Sequence, residues 1–127
     1  MTVLAFIEDG SIEVFASREA AATNFEGIDV ESGTVQFFES DGTQLKAEFT
    51  SPNRSGKAFG LVGWVSSGKY TLVSDRESSN ESLALALYEA QVLEPNAFFP
   101  SIESLKSKLR AAGVAVDYVA PIRQSEA

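Results

Sequence analysis

Neither cysteine nor histidine occurs in this chain of 127 residues. Cys-His and Ser-His-Asp nucleophilic sites, thiolate or imidazole zinc sites and CxxC redox motifs are therefore excluded. Bases are scarce as well: 10 Lys and Arg stand against 18 Asp and Glu, a formal charge of -8. Neutralising phosphates needs clustered cations, so this balance opposes binding to nucleic acid or to an anionic membrane. Long apolar runs are missing too. The richest, Leu83 to Leu93, is broken by Glu89 and Gln91 and falls short of the ~18 residues a membrane span requires. The opening Met1 to Ile7 has no preceding base and meets Glu8 and Asp9 before a signal-length core develops, so a cytoplasmic protein is expected. The sequons at Asn53-Arg54-Ser55 and Asn80-Glu81-Ser82 then read as chance matches.

What is present suffices for one domain over residues 1–127. At this length a chain buries roughly two thirds of its unfolded surface and needs no metal or disulfide staple to fold. Asp9-Gly10 and Asp41-Gly42 each stand between strand-like runs, and Asp-Gly pairs favour two-residue type I′ hairpins. Such turns would set Ile7 opposite Ile12, Ala5 opposite Val14 and Val3 opposite Ala16. In the second hairpin, Thr34 to Ser40 with Thr43 to Phe49, Phe38 would face Leu45 and Phe37 would point to the other side. Leu4, Phe6 and Phe15, mixed with Glu8 and Glu13, would share a partly covered face. Between the hairpins, Ser17 is an N-cap for a short helix over 18–26, followed by a connection from Glu26 to Ser32.

An acidic ββαββ half over 1–50 thus precedes a Gly/Ser-rich β segment over 51–74. In that segment Ser51 to Lys57 reads as an exposed loop, and strands follow at Phe59 to Val65 and Tyr70 to Val73. Ser78-x-x-Glu81 matches a capping box that opens a helix to about Leu93, with Leu83 and Leu87 on one face and Leu85, Tyr88 and Val92 on another, so burial around much of its circumference is expected. A second helix spans Ser101 to Ala112, with Ile102, Leu105 and Leu109 as its stripe and Gly113 as its C-cap. A last strand is expected at Val114 to Ala120 and a frayed tail over 121–127. The fold class is α+β: a mainly antiparallel sheet, built from hairpins, packed against two or three helices.

Charge divides unevenly along the chain. Residues 1–50 carry ten acids and only Arg18 and Lys46 as bases, whereas residues 51–127 hold eight of each. The whole excess therefore lies in the first half, where it would speed encounter with a basic protein surface. Surface carboxylates that merely keep a small protein soluble are the bland alternative.

Other motifs carry less. Gly63-Trp64-Val65-Ser66-Ser67-Gly68-Lys69 has the spacing of a phosphate loop, but Tyr70 stands where Ser or Thr must ligate magnesium and a strand follows where a helix is required. Glu8 with Glu13, or Asp29 with Glu31, are the carboxylate pairs open to acid–base work, and both sit beside solvated turns. Asp29, Glu31, Glu39 and Asp41 lack EF-hand spacing. Trp64 reads as a core anchor before an interface residue. No catalytic residue, cofactor or metal is expected.

The segment Glu26-Gly27-Ile28-Asp29-Val30-Glu31-Ser32-Gly33, followed by Phe37-Phe38 and Ser40-Asp41-Gly42-Thr43-Gln44-Leu45, resembles a pattern of small bacterial proteins, as does the earlier Val14-Phe15-Ala16-Ser17-Arg18-Glu19-Ala20. Over residues 1–50 the chain is similar to immunity proteins, cytoplasmic antidotes to the toxins of contact-dependent or type VI secretion systems. The resemblance implies stoichiometric inhibition: an acidic surface covers a basic cleft of a cognate toxin, and a nuclease is the class this charge suits. The expected partner-binding residues are Glu26, Asp29, Glu31, Glu39 and Asp41, with Phe37 as the apolar anchor. Two rivals are a self-associating module that dimerises through a sheet edge and a small carboxylate-dependent enzyme with two acids in one cleft.

Overall fold

The computed structural model describes residues 1–58, 62–77 and 81–119. Its centre is a six-stranded sheet in the order β7-β4-β3-β1-β2-β8, formed by Tyr70–Ser74, Gln44–Phe49, Val35–Glu39, Val3–Ile7, Ser11–Phe15 and Val92–Leu93. Every pairing is antiparallel except β2 with β8, so the α+β expectation holds with one parallel edge. Strands β5 (Arg54–Ala58) and β6 (Val62–Ser66) pair only with each other in a separate ribbon. The segment from Ser51 to Lys57 is therefore not all loop: strand begins at Arg54. Residues 59–61 of the next expected strand, Ser78 of the capping box and the tail over 121–127 lie outside the described residues.

Both Asp-Gly turns are one residue longer than the type I′ reading. The Gly10 amide donates to the Ile7 carbonyl at 2.9 Å and Gly10 sits at φ 93°, while the Gly42 amide donates to the Glu39 carbonyl at 2.9 Å with Gly42 also at φ 93°. These are three-residue loops in which a β-turn is followed by a left-handed glycine. Asp supplies the reason: its carboxylate accepts from the amide two residues on, Asp9 from that of Ser11 and Asp41 from that of Thr43, each at 2.9 Å.

The extra residue slips both registers. Phe6 pairs with Ile12, Leu4 with Val14, Ala5 with Glu13, and Phe37, not Phe38, stands opposite Leu45. A one-residue slip reverses which side chains share a face. Leu4, Phe6, Ile12 and Phe38 therefore form one core, and Val3, Ala5, Val35, Phe37 and Leu45 form the other. Leu4 and Phe6 are thus buried, while the same face of the sheet leaves Gln36, Lys46, Glu48 and Thr71 exposed toward β4 and β7.

Among the described residues, four helices pack on the two faces. On one face lie α1 (Arg18–Asn24), capped by Ser17 whose Oγ accepts from the Ala20 amide, and α2 (Gly27–Glu31), a short turn of helix where a plain connection was expected. On the other lie α3 (Ser82–Glu89) and α4 (Ile102–Ala111), which contribute Leu83, Leu87, Leu105 and Leu109, none more than 2% exposed. Helix α3 stops four residues before Leu93 because the chain is taken into the sheet: the Gln91 and Val92 amides donate to the Gly10 carbonyl and the Glu94 amide to that of Ile12. Leu85 and Tyr88 of its second face remain exposed, so the helix is buried on one side only.

Helix α4 ends as expected at Gly113, φ 82°, whose amide donates to the Arg110 carbonyl while that of Val114 donates to Leu109, a Schellman pair. The segment after it buries Val116, and residues 114–119, the described part of the expected final strand, join no ladder. None of the described helices is long and apolar enough to cross a membrane.

Candidate partner-binding surface

The register between β1 and β3 decides where the acids collect. Ile7 pairs with Val35, and the Glu8 amide donates to the Thr34 carbonyl at 2.9 Å, so the β1–β2 turn lies against the junction between α2 and β3. That junction is tight: the Asp29 carbonyl accepts from the Thr34 amide, the Thr34 hydroxyl and the Ser32 hydroxyl. One end of the sheet thus presents Glu8 and Asp9 from the turn with Asp29 and Glu31 from α2 and Glu26 at its N-cap, all exposed. The Ser11 side chain and backbone hydrogen bonds hold the Asp9 carboxyl below its ordinary value of 3.8.

Helix α2 is fixed by a residue that sequence reasoning passed over. Asn53 Nδ2 donates to the Gly27 carbonyl at 3.0 Å and to Glu31 Oε2 at 2.7 Å, and its Oδ1 accepts the Gly68 amide at 2.7 Å. One amide side chain therefore joins α2 to the loops on either side of the β5–β6 ribbon. Gly68 is packed so closely that a Cβ there would stand 2.1 Å from the Ser51 carbonyl oxygen. Only the sequon signal marked Asn53 in the sequence.

The remaining expected site residues lie elsewhere. Phe37 is 2% exposed and meets Phe25 edge-on with centroids 5.5 Å apart, so it is a core residue and unavailable as an anchor. Glu39 is 9% exposed and takes two hydrogen bonds from Arg18, at 2.7 and 3.1 Å, with Arg18 also reaching Ser74 Oγ. This ion pair clamps α1 to β3 and β7 and raises the Arg18 pKa; it leaves no free charge for a partner. Asp41 is exposed at the opposite end of β3, separated from α2 by roughly 14 Å of strand. Desolvation there is outweighed by hydrogen bonds from Thr43, and the Asp41 carboxyl titrates below its ordinary range. The structure therefore gathers Glu26, Asp29 and Glu31 and separates Glu39, Asp41 and Phe37 from them.

The catalytic pairs are not supported by position. Glu8 lines a cleft beside α3, whereas Glu13 accepts from Asn24 at the end of α1 on the other face of the sheet. Asp29 and Glu31, two apart on a helix, do not face one another. Among the described residues no group of three or more acids is placed to hold a metal ion. Lys69 is followed by β7, not by a helix, which removes the phosphate-loop geometry.

That cleft, about 230 Å³, runs from the β1–β2 turn to the C-terminal end of α3, with Glu8, Ser11, Thr34, Gln36 and Glu89 among its lining residues. Beyond Glu89 the outer face of α3 exposes Tyr88, 64%, and Leu85, 37%, and Tyr88 packs against Tyr118 with centroids 5.4 Å apart. No protein-family model, curated protein or solved structure matches the chain. The fold and the surface together define an acidic α+β domain with a charged end and an aromatic flank.

Proposed function

We propose that the chain is an immunity protein: a cytoplasmic, non-catalytic module that neutralises a cognate bacterial toxin by covering a basic surface of it, as the resemblance over residues 1–50 implies. The observation that carries this reading is the gathering of five exposed carboxylates, Glu8, Asp9, Glu26, Asp29 and Glu31, at one end of the six-stranded sheet. Fixed charges of one sign steer a basic partner and raise its association rate, and they repel nucleic acid and anionic lipid. A nuclease, whose substrate cleft must be cationic, is the toxin class best suited to such a surface.

The test is a tagged pull-down from the native host, washed at low and then at high salt. The reading expects one near-stoichiometric protein, released by salt, that arrests growth when expressed alone. Recovery of the bait alone at both salts contradicts it, and a concentration-dependent dimer in the same preparation moves the assignment to a self-associating module.

A further inference from the structure

We infer that the outer face of α3, with Tyr88 at its centre and Leu85 and Tyr118 beside it, is the apolar half of a docking surface for a protein segment that carries Lys or Arg next to an apolar side chain. The inference supplies the anchor that the proposed function lacks once Phe37 is found in the core.

Leu85 and Tyr88 are three apart on α3 and share a face, while Leu83 and Leu87 point into the core. Tyr88 keeps 64% of its surface in water, and its ring contact with Tyr118 couples the helix to the chain segment after α4, so the pair is held in place before any partner arrives. A preordered tyrosine loses little entropy on binding and offers both an apolar body and a hydroxyl, the properties of an interface anchor.

Charge selects the occupant. Glu89, exposed and next in sequence to Tyr88, lines the same cleft as the exposed Glu8, so the aromatic patch adjoins the carboxylates of its own helix and of the β1–β2 turn. A second copy of the chain would bring the same carboxylates and a charge of -8 against this surface, which opposes self-pairing. A cationic segment is attracted by it, and Arg or Lys near a tyrosine face gains further.

The test pans phage-displayed random 16-residue peptides on the full chain and measures the winners by fluorescence anisotropy. Winners should combine Lys or Arg with an apolar residue. Their affinity should fall on the order of tenfold on Tyr88→Ala, the scale of an anchor truncation. It should also fall on Leu85→Lys, which adds a repelling charge, fall less on Glu89→Gln, and stay unchanged on Lys106→Ala. Circular dichroism confirms that each variant is folded. The inference is overturned if panning enriches nothing, if winners are acidic or neutral, or if Tyr88→Ala binds them as well as the parent. It is also overturned if sedimentation finds a dimer that Tyr88→Ala dissociates, since a second copy is then the occupant. A toxin neutralised equally by Tyr88→Ala and the parent would remove this surface and keep the immunity reading; cationic winners without any toxin would do the reverse.

Discussion

Gly42 shows how much of this fold rests on single residues. Its φ of 93° lies where an L side chain is strained, and a Cβ would also stand 3.1 Å from Val114. Gly42→Ala should therefore destabilise the protein by about 1–2 kcal/mol, read as a lower urea midpoint at unchanged slope. Asn53→Ala should cost about 1–3 kcal/mol, because it leaves the Gly68 amide without its acceptor and frees α2. Hydrogen exchange at Gly68 and along α2 should quicken while that of β1 stays slow. Tyr70 gives a pH test. Its hydroxyl donates to the Phe25 carbonyl at 2.8 Å, and burial pushes its pKa up to about 12 from 10.0. The folded state favours the protonated phenol, so this contribution is intact below pH 10 and is lost as pH rises from there through 12. Absorbance titration should show one late-ionising tyrosine that Tyr70→Phe removes.

At the scale of elements, what the sequence disclosed depended on whether the determinant was local. Ser17, Ser101 and Gly113 cap helices as their residue types demand, and the unbroken apolar run Val3–Ile7 became the central strand, buried on both faces. The Asp-Gly pairs mark both turns but not their length, since Asp-Gly serves two- and three-residue loops alike and the Asp carboxylates that accept the Ser11 and Thr43 amides select the longer one. One extra residue in each turn reversed the facing of the two strands of each hairpin relative to one another, and it put Phe37 on the buried face of Leu45. Helix α3 is shorter than its periodicity predicts because that periodicity carries no sign of Gly10 and Ile12, more than seventy residues upstream, accepting the amides that follow its end. The acidic end had the same origin: Glu8 reached α2 through β1–β3 pairing, which no local pattern records. Phe37→Ala should now lower stability by about 3–5 kcal/mol, as removal of a packed core ring does. Equilibrium unfolding decides it, because an exposed interface residue would leave the midpoint unmoved.

At the scale of the whole molecule, the excess charge of residues 1–50 is partly consumed within the fold. Arg18 neutralises Glu39, and Asp41 is carried to the far end of β3, yet the α2 end keeps its carboxylates in water. The aromatic flank of α3 meets the β1–β2 turn at one cleft, where Glu89 stands next to Tyr88 and opposite Glu8, so charge and apolar area adjoin there. Charge at such a face sets the rate of encounter and its salt dependence, whereas the buried anchor sets residence time.

The most direct measurement is growth rescue. The protein recovered in the pull-down is expressed from one promoter in a bacterial host, and this chain from another, as the parent and as the Glu26→Gln, Asp29→Asn, Glu31→Gln triple variant. The account predicts growth arrest relieved by the parent and relieved much less by the triple variant, whose fold is unchanged. Rescue by neither would contradict the immunity reading, and equal rescue by both would contradict the claim that the acidic end makes the contact.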